Sequence, residues 1–358
     1  MENKNRTSIM TSRQFPYIIA GPCSIETQAQ LQSSVDQLIR IPQVKLIRCG
    51  VWKPRTRPGG FEGLGETALA WIKEVKATTP QARFCCEVAR PEHVAACQKY
   101  GIDAIWIGAR TSGDPFSMNE LTEAMRGWDI PVMVKNAPAP DVKTWIGAIE
   151  RCCQVGLKQV SAVHRGFDIY NNMGFRNHPL WEIVLELRQA MPEIPILCDP
   201  SHIGGKREWI EMISQMALDI NLDGLMIEVH PDPEKALTDA AQQITPAELA
   251  RLIDRLMVRD GENSGDNELL YLRKNIDHID SEIIKLLKQR LDTSLQIAEV
   301  KGRYNMSAYQ PKRWEEVLNN KIAQAKALGI SETFIKEIYE KIHVESIRIQ
   351  ESGMRKME

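Results

Sequence analysis

Long hydrophobic runs and net charge are both scarce in this 358-residue sequence. No segment approaches the roughly 18 consecutive apolar residues that a membrane-spanning helix needs. The opening residues, MENKNRTSIM, carry charges where a signal peptide would have an apolar core. The 45 Lys and Arg nearly balance the 47 Asp and Glu, and the formal net charge is −2. These absences argue against a membrane or nucleic-acid partner and predict a cytoplasmic protein.

Signatures of structural zinc and of nucleotide binding are also missing. None of the eight cysteines forms a C-x-x-C pair, so neither a zinc site of that type nor a disulfide framework is predicted. The adjacent pairs Cys85-Cys86 and Cys152-Cys153 are instead expected to be core residues. No G-x-G-x-x-G or Walker A run occurs, which removes the usual phosphate loop of an open nucleotide-binding sheet.

Eight short apolar runs alternate with amphipathic stretches between residues 16 and 257. The runs are 17–20, 44–48, 83–88, 104–108, 132–135, 159–164, 196–198 and 224–229. The stretches with helical spacing include 67–76, 91–100, 142–153, 180–191, 207–220 and 246–257. This α/β alternation predicts parallel strands, and the number of runs predicts a closed (β/α)8 TIM barrel over residues 1–257. A doubly wound open sheet is the alternative.

The remaining residues have a different composition. Residues 258–268, VRDGENSGDNE, are polar and predict a linker. Residues 269–358 predict an all-α domain, with helices over 269–304, after Pro311 and over 331–350. Apolar residues such as Leu272 and Ile276 recur along the first helix at helical spacing. So thin a bundle would bury this stripe better against a partner chain.

The predicted strand ends carry an unusual set of side chains. A barrel has its active site at the carboxyl ends of its strands. Four potential metal ligands lie at these ends or shortly beyond them, namely Cys23, His202, Glu228 and Asp239. A thiolate, an imidazole and two carboxylates suit a divalent ion of Mn, Fe, Co or Zn with a position left open for substrate. Such an ion could act as a Lewis acid on a carbonyl group.

The same strand ends also carry an excess of positive charge. The cations are Arg48, Lys53, Arg55, Arg110, Lys135 and Arg165. So many like charges around one mouth repel one another unless anions neutralise them. Guanidinium groups match the oxygens of phosphates and carboxylates. We therefore expect substrates that carry several anionic groups, with phosphates and a carboxylate among them.

The motifs GPCSIE, KPRT, IGAR, DPSH-x-GG and EVHPDPEKALTD, over residues 17 to about 257, resemble 3-deoxy-D-arabino-heptulosonate 7-phosphate (DAHP) synthase of type I-beta. That family condenses phosphoenolpyruvate with erythrose 4-phosphate in the first step of the shikimate pathway, which leads to the aromatic amino acids. The resemblance implies that Cys23, His202, Glu228 and Asp239 bind the metal ion. It also implies that Arg48, Lys53, Arg110, Lys135 and Arg165 hold phosphoenolpyruvate, with Lys53 catalytic.

Erythrose 4-phosphate would lie against Lys53, Arg55 and Thr56 of the KPRT motif. The family usually has Ser after that Thr, whereas this sequence has Arg57. A 3-deoxy-octulosonate 8-phosphate synthase, which uses arabinose 5-phosphate, is the alternative for the barrel. For the proton transfers, the sequence leaves open His164, Glu87 or a chain of water molecules.

Residues 269–358 resemble the all-helical AroQ-type chorismate mutase. The matching run is Leu272-Arg273, Gln289-Arg290, Ala298-Glu-Val-Lys301, Gln310-x-x-Arg313 and Ser346-x-x-x-Gln350. The resemblance implies that chorismate contacts Arg273, Arg290, Lys301, Arg313, Ser346 and Gln350, with Arg290, Lys301 and Gln350 catalytic. Two positions depart from the family, which commonly has Asp in place of Gln310 and an acidic residue in place of Trp314.

Helix geometry adds an expectation about assembly. Arg273 and Arg290 lie about 25 Å apart along one helix, too far for one small dicarboxylate to touch both. One of them must therefore come from another subunit, which predicts a homodimer through the helical domain. We expect the helical domain to be a working mutase that also inhibits the barrel when it binds chorismate or prephenate. A module that only senses these ligands, without catalysis, is the alternative.

Overall fold

The computed structural model describes residues 16–53, 59–170, 174–258 and 267–355. The chain forms two compact units, Met1–Gly261 and Glu262–Glu358. Within the described residues, no helix has the length and apolar character that crossing a membrane would require.

The first unit contains eight parallel strands that close into a barrel in sequence order. The strands are β1 (Tyr17–Gly21), β2 (Val44–Cys49), β3 (Phe84–Val88), β4 (Ala104–Ile107), β5 (Val132–Lys135), β6 (Val160–His164), β7 (Ile196–Cys198) and β8 (Gly224–Glu228). Closure is made by β1 and β8, which pair in parallel from Tyr17 opposite Gly224 to Gly21 opposite Glu228. The predicted barrel is confirmed, and the doubly wound alternative is wrong.

Ten α-helices accompany the strands in the described part of this unit. They are α1 (Gln28–Leu38), α2 (Glu66–Thr78), α3 (Pro91–Tyr100), α4 (Ala109–Ser112), α5 (Pro115–Ala124), α6 (Val142–Gln154), α7 (Trp181–Ala190), α8 (Pro200–Gly204), α9 (Arg207–Asp219) and α10 (Pro246–Arg255). Thr245 and Glu248 form a capping box at the start of α10, which satisfies backbone donors that the first turn leaves open.

The cysteine pairs are mostly buried, with one exception. Cys85, Cys86 and Cys152 lie in the core as predicted, but Cys153 is exposed. The prediction was wrong for Cys153 because α6 buries only one face, which includes Trp145 and Cys152. The next residue is rotated by about 100° toward solvent.

Side chains alternate between the inside and the outside of the barrel, as the pleat of a β-strand requires. The interior layer contains Ile19, Leu46, Cys85, Trp106, Met133, Val163, Leu197 and Met226. The next inward positions, two residues further along the chain, are occupied by Gly21, Arg48, Glu87, Gly108, Lys135, Arg165, Asp199 and Glu228. The alternation thus delivers four of the charged residues predicted for the site, Arg48, Lys135, Arg165 and Glu228, to the carboxyl rim.

The second unit contains three helices, α11 (Asn267–Arg303), α12 (Pro311–Ala327) and α13 (Glu332–Arg355). The predicted all-α unit is confirmed. Helix α13 packs against both α11 and α12. Apolar side chains along α11 are exposed to solvent in this single chain: Leu272 is 50%, Ile276 57%, Ile279 56% and Leu286 62% exposed.

Candidate active sites

Three predicted metal ligands converge at the carboxyl rim of the barrel. Ligand atoms of Cys23, Glu228 and Asp239 all lie within 4.8 Å of one another, which is the one such group found among the described residues. Cys23 Sγ lies 3.2 Å from Oδ2 of Asp239. Cys23 follows β1 closely and needs Gly50 beside it, because a Cβ at residue 50 would meet the Cys23 carbonyl oxygen at 1.9 Å.

His202 stands next to this cluster on the short helix α8. Its Nε2 lies 3.8 Å from Oε1 of Glu228, and its Nδ1 lies 2.8 Å from Oδ2 of Asp199. A carboxylate on one imidazole nitrogen orients the ring and leaves the other nitrogen for a metal ion. The fourth predicted ligand is therefore near the other three, with its Nε2 on the side of Glu228.

Asp199 belongs to the DPSH motif of the predicted site, but no ligand or substrate contact was predicted for it. Besides His202, its Oδ2 lies 2.7 Å from Lys135 Nζ and 4.0 Å from Arg48 Nη1. Burial would raise the pKa of this carboxyl group, but the charges of His202, Lys135 and Arg48 hold it well below its usual range. Asp199 occupies the inward position two residues beyond Leu197, so the strand alternation could have indicated it.

The electrostatics of the ligand cluster suit a cation. Burial raises the pKa of the Cys23 thiol above its usual range, and the nearby carboxylate of Glu228 raises it further. Glu228 is itself fully buried, yet its pKa lies below its usual range because Arg48, His202 and Lys53 outweigh the effect of burial. Ionised carboxylates beside a thiol and an imidazole are donors that a divalent transition metal accepts. The residues present therefore fit the predicted metal ion.

Lys53 and Arg48 face the same cluster. Lys53 Nζ lies 2.8 Å from Cys23 Sγ and 3.7 Å from Asp239 Oδ2. Arg48 Nη2 lies 2.9 Å from Glu228 Oε1, and the guanidinium lies 5.1 Å from the centroid of the Trp106 ring. Burial alone would lower the pKa of both cations, but their anionic neighbours raise it. Both side chains therefore stay charged.

A second group of cations surrounds Arg165. Burial lowers the pKa of Arg165 to about 10, and the charges of Arg176 and Arg110 contribute, partly offset by Asp199. The backbone N–H of Arg165 donates to Oδ1 of Asn136 at 2.8 Å, which fixes the end of β6 against β5. The structure thus places Arg110 and Arg165 close enough to repel one another, a cost that a bound anion would relieve.

Of the predicted contacts to erythrose 4-phosphate, the structure describes Lys53 but not the residues that follow it. Arg55, Thr56 and Arg57 lie outside the residues that the structure describes.

The two candidate proton carriers have different positions. His164 points away from the barrel interior, with its ring 5.0 Å from that of Trp181 and 5.7 Å from that of Phe167. Burial lowers its pKa to about 3, with Arg165 adding to the effect.

Glu87 points inward, and its Oε2 accepts a hydrogen bond of 3.0 Å from Trp106 Nε1. A Cβ at Gly108 would meet Glu87 Oε1 at 2.2 Å, so a larger residue there would displace the Glu87 carboxylate from this position. Of the two, only Glu87 faces the rim.

The helical unit brings four predicted residues to the packing surface of α11 and α13. Arg290 Nη1 donates a hydrogen bond to Ser346 Oγ. Lys301 and Gln350 are 9% and 8% exposed, and Lys301 Nζ donates to the Ala308 carbonyl oxygen at 2.6 Å. Burial lowers the pKa of Lys301. Arg290, Lys301, Ser346 and Gln350 therefore form a candidate anion-binding site within one chain.

One pair in this unit was not predicted. The His343 ring stacks on Trp314, with centroids 3.9 Å apart and an interplanar angle of 11°. Burial lowers the pKa of His343, and the charges of Arg290 and Lys301 lower it further. Helical spacing could have found His343, because it lies three and seven residues before Ser346 and Gln350.

Two further predicted chorismate contacts are exposed to solvent in the single chain. Arg273 is exposed on the same continuous helix as Arg290, about 25 Å away along its axis. Arg313 is also exposed, and its Nη1 lies 3.1 Å from Glu316 Oε2. Arg273 is therefore too far along α11 to reach the site around Arg290 in the same chain.

Comparison with known families covers both units. Residues 2–261 match the family model described as the DAHP synthetase I family, and residues 272–351 match chorismate mutase type II.

Relatives and solved structures resemble the first unit. A phospho-2-dehydro-3-deoxyheptonate aldolase of Thermotoga maritima is 30% identical over 227 residues, which are 63% of this chain and 64% of the relative. A 2-dehydro-3-deoxyphosphooctonate aldolase of Geotalea daltonii is 27% identical and covers 68% of this chain and 92% of its own. A crystal structure of the Thermotoga maritima DAHP synthase superposes with a TM-score of 0.61 and 30% identity, over 68% of each chain.

Proposed function

Since this chain belongs to the DAHP synthetase I family and carries a chorismate mutase type II domain, we propose that it is a bifunctional enzyme. The barrel condenses phosphoenolpyruvate with erythrose 4-phosphate, giving DAHP and phosphate. The helical unit rearranges chorismate to prephenate. The observation that carries the synthase proposal is the group of Cys23, Glu228 and Asp239 atoms at the rim, surrounded by buried cations.

The cations bind and orient two anionic substrates. Arg165 and Arg110, whose mutual repulsion a bound anion relieves, hold phosphoenolpyruvate together with Lys135 and Arg48. Holding two anions side by side converts an encounter that charge opposes into a reaction between positioned groups. Lys53, Arg55 and Thr56 contact erythrose 4-phosphate.

The condensation joins the alkene carbon of phosphoenolpyruvate to the aldehyde carbon of erythrose 4-phosphate. A divalent ion of Mn, Fe, Co or Zn held by Cys23, His202, Glu228 and Asp239 would polarise the aldehyde as a Lewis acid. Lys53 donates a proton or hydrogen bond from Nζ to the aldehyde oxygen as negative charge develops there. Water then adds to the former enol carbon, and phosphate leaves.

Arabinose 5-phosphate is the competing second substrate, because 2-dehydro-3-deoxyphosphooctonate aldolases are among the relatives. The KPRT motif and the attached mutase domain favour erythrose 4-phosphate. The test incubates the full chain with Mn2+, phosphoenolpyruvate and either sugar phosphate, and identifies the product by mass spectrometry. A seven-carbon product supports the proposal, whereas an eight-carbon product supports the alternative.

The mutase reaction needs positioned cations rather than an acid, a base or a nucleophile. Arg290 and Lys301 face the same side of α11 and lie where negative charge would develop on the breaking ether bond. Gln350 and Ser346 complete the contacts. Loss of chorismate absorbance on adding the full chain tests this activity, and an unchanged chorismate signal would favour a module that only senses the ligand.

A homodimer through the helical unit would complete this site. The exposed apolar side chains of α11 give the second copy a surface to cover, and its Arg273 could reach the Arg290 of the first chain. Sedimentation of the full chain tests the assembly, and Leu272→Lys with Ile276→Lys should weaken it. A monomer with full mutase activity would contradict this arrangement.

Regulation follows from the same fusion. Chorismate or prephenate bound at Arg290 and Lys301 inhibits the synthase, since linking the two units raises the local concentration of one beside the other. The measurement is the synthase rate against prephenate concentration, for the wild type and for Arg290→Ala. Equal inhibition of both proteins would contradict this route, and no inhibition of the wild type would remove it.

A further inference from the structure

Arg176 and Gln242 are not among the predicted ligands, but they contact the two carboxylates of that set. Arg176 contacts Asp239, and Gln242 contacts Glu228. Arg176 lies between β6 and α7, and Gln242 lies in a 3-10 helix just after Asp239. Arg176 Nη1 donates to Asp239 Oδ1 at 3.2 Å and to Gln242 Oε1 at 2.5 Å. Gln242 Nε2 donates to Glu228 Oε2 at 2.6 Å. One short chain of hydrogen bonds therefore runs from Asp239 to Glu228 behind the ligand cluster.

This chain occupies one oxygen of each carboxylate and leaves the other facing the cluster. The remaining Asp239 oxygen, Oδ2, lies 3.2 Å from Cys23 Sγ. The remaining Glu228 oxygen, Oε1, lies 3.8 Å from Nε2 of His202. The oxygens that point at the other ligands are thus the ones that Arg176 and Gln242 do not hold.

The orientation of Gln242 is determined by its neighbours. An arginine has donors and no acceptor, whereas an ionised glutamate has acceptors and no donor. Gln242 is 1% exposed, so its amide can satisfy both only with Oε1 toward Arg176 and Nε2 toward Glu228. A glutamate at this position would set a second carboxylate against Glu228, and a leucine would leave Glu228 Oε2 without its donor.

We propose that Arg176 and Gln242 are positioning residues for the metal site, which turn Glu228 and Asp239 so that each offers one oxygen to a divalent ion. This inference rests on the proposed metal-dependent function, but it concerns different residues. Hydrogen-bond partners behind metal ligands typically contribute 10- to 100-fold to metal affinity. Removing either side chain should therefore weaken metal binding by about that factor.

A purely structural role for Arg176 is the competing explanation. Its stem packs on Gly205, where an added Cβ would meet Arg176 Cβ at 2.6 Å. Arg188 offers a matched control, because its Nη2 pairs with Asp223 Oδ2 at 3.1 Å beside the amino end of β8, at the opposite end of the barrel. If losing an arginine ion pair acts only through the structure, substitution of Arg176 and substitution of Arg188 should weaken metal binding equally. If Arg176 positions the metal ligands, only its substitution should weaken metal binding.

The experiment titrates metal-stripped full-length protein with Mn2+ by calorimetry, without substrates, and records the visible spectrum after loading with Co2+. The proteins are wild type, Arg176→Met, Gln242→Leu, Gln242→Glu and Arg188→Met. The three variants at positions 176 and 242 should bind Mn2+ about 10- to 100-fold more weakly and shift the Co2+ bands, while Arg188→Met matches the wild type.

The outcomes separate the two proposals. If the wild type binds Mn2+ and the variants at 176 and 242 match it in affinity and spectrum, the positioning role is wrong and the metal site stands. An equal loss of Mn2+ affinity in Arg188→Met also overturns the positioning role. If the wild type itself binds neither ion, the proposed metal site and the positioning role both fail.

Discussion

Acid should destabilise the barrel through one histidine. Burial lowers the pKa of His164 to about 3, from 6.5 in an exposed residue. The unfolded chain therefore binds a proton near pH 6.5 that the folded barrel takes up only near pH 3. Stability from this group is complete above pH 6.5 and is lost as the pH falls below it.

The size of the effect follows from the pKa difference. Each unit of difference corresponds to about 1.4 kcal/mol. At pH 4.5 the wild type should have lost about 2.5 kcal/mol through His164, relative to pH 7.5. A His164→Phe variant keeps an aromatic ring beside Trp181 and Phe167 but cannot bind the proton, so this part of its pH dependence should disappear.

The assay is urea unfolding at pH 7.5 and pH 4.5, followed by tryptophan fluorescence, since seven of the eight tryptophans lie within residues 16–258. The quantity compared is the loss of unfolding free energy between the two pH values. His278→Phe, an exposed histidine on α11, should behave as the wild type. Losses that agree within about 0.5 kcal/mol between the wild type and His164→Phe would refute the reasoning.

Three further variants test the two sites. Lys135→Met leaves Asp199 buried without its 2.7 Å partner and should lower the unfolding free energy by about 3 kcal/mol; a loss below about 1 kcal/mol by urea titration would show that Arg48 and His202 suffice. Arg55→Ala should raise the KM for erythrose 4-phosphate while chorismate turnover stays within a few-fold, and equal loss of both rates in a folded protein would speak against a separate role. Arg290→Ala should lower mutase kcat/KM by about 10² or more, and wild-type kinetics would remove this residue from the site.

Sequence periodicity was sufficient for the barrel because each strand is a short apolar run between breaks. The closed ring, its strand order and the three-helix unit follow from counting these runs and their spacing. The convergence of Cys23 and Glu228 followed from the strand ends, since these residues lie at or just beyond β1 and β8. These features are local in sequence, which is why they could be predicted.

The parts that escaped prediction depend on distant contacts. Arg176 lies far from any strand end, and only the folded chain brings its guanidinium to Asp239, 63 residues later. Asp199 caps α8 with one carboxylate oxygen, and its other oxygen meets Lys135 of β5, a contact that the DPSH motif alone does not show. His164 was a candidate for proton transfer because it ends β6, whereas the strand alternation turns it outward. Strand alternation could have separated the inward Asp199 from the outward His164, whereas no local pattern indicates Arg176.

The rim cluster around Cys23 is proposed as a metal site on which the barrel reaction depends. The most direct measurement is phosphate release from phosphoenolpyruvate in the presence of erythrose 4-phosphate, by protein stripped with a chelator and then resupplied with Mn2+. We expect no phosphate release from the stripped wild type, recovery on adding Mn2+, and no recovery in a folded Cys23→Ala variant. Full phosphate release by the stripped wild type, or by Cys23→Ala, would contradict it.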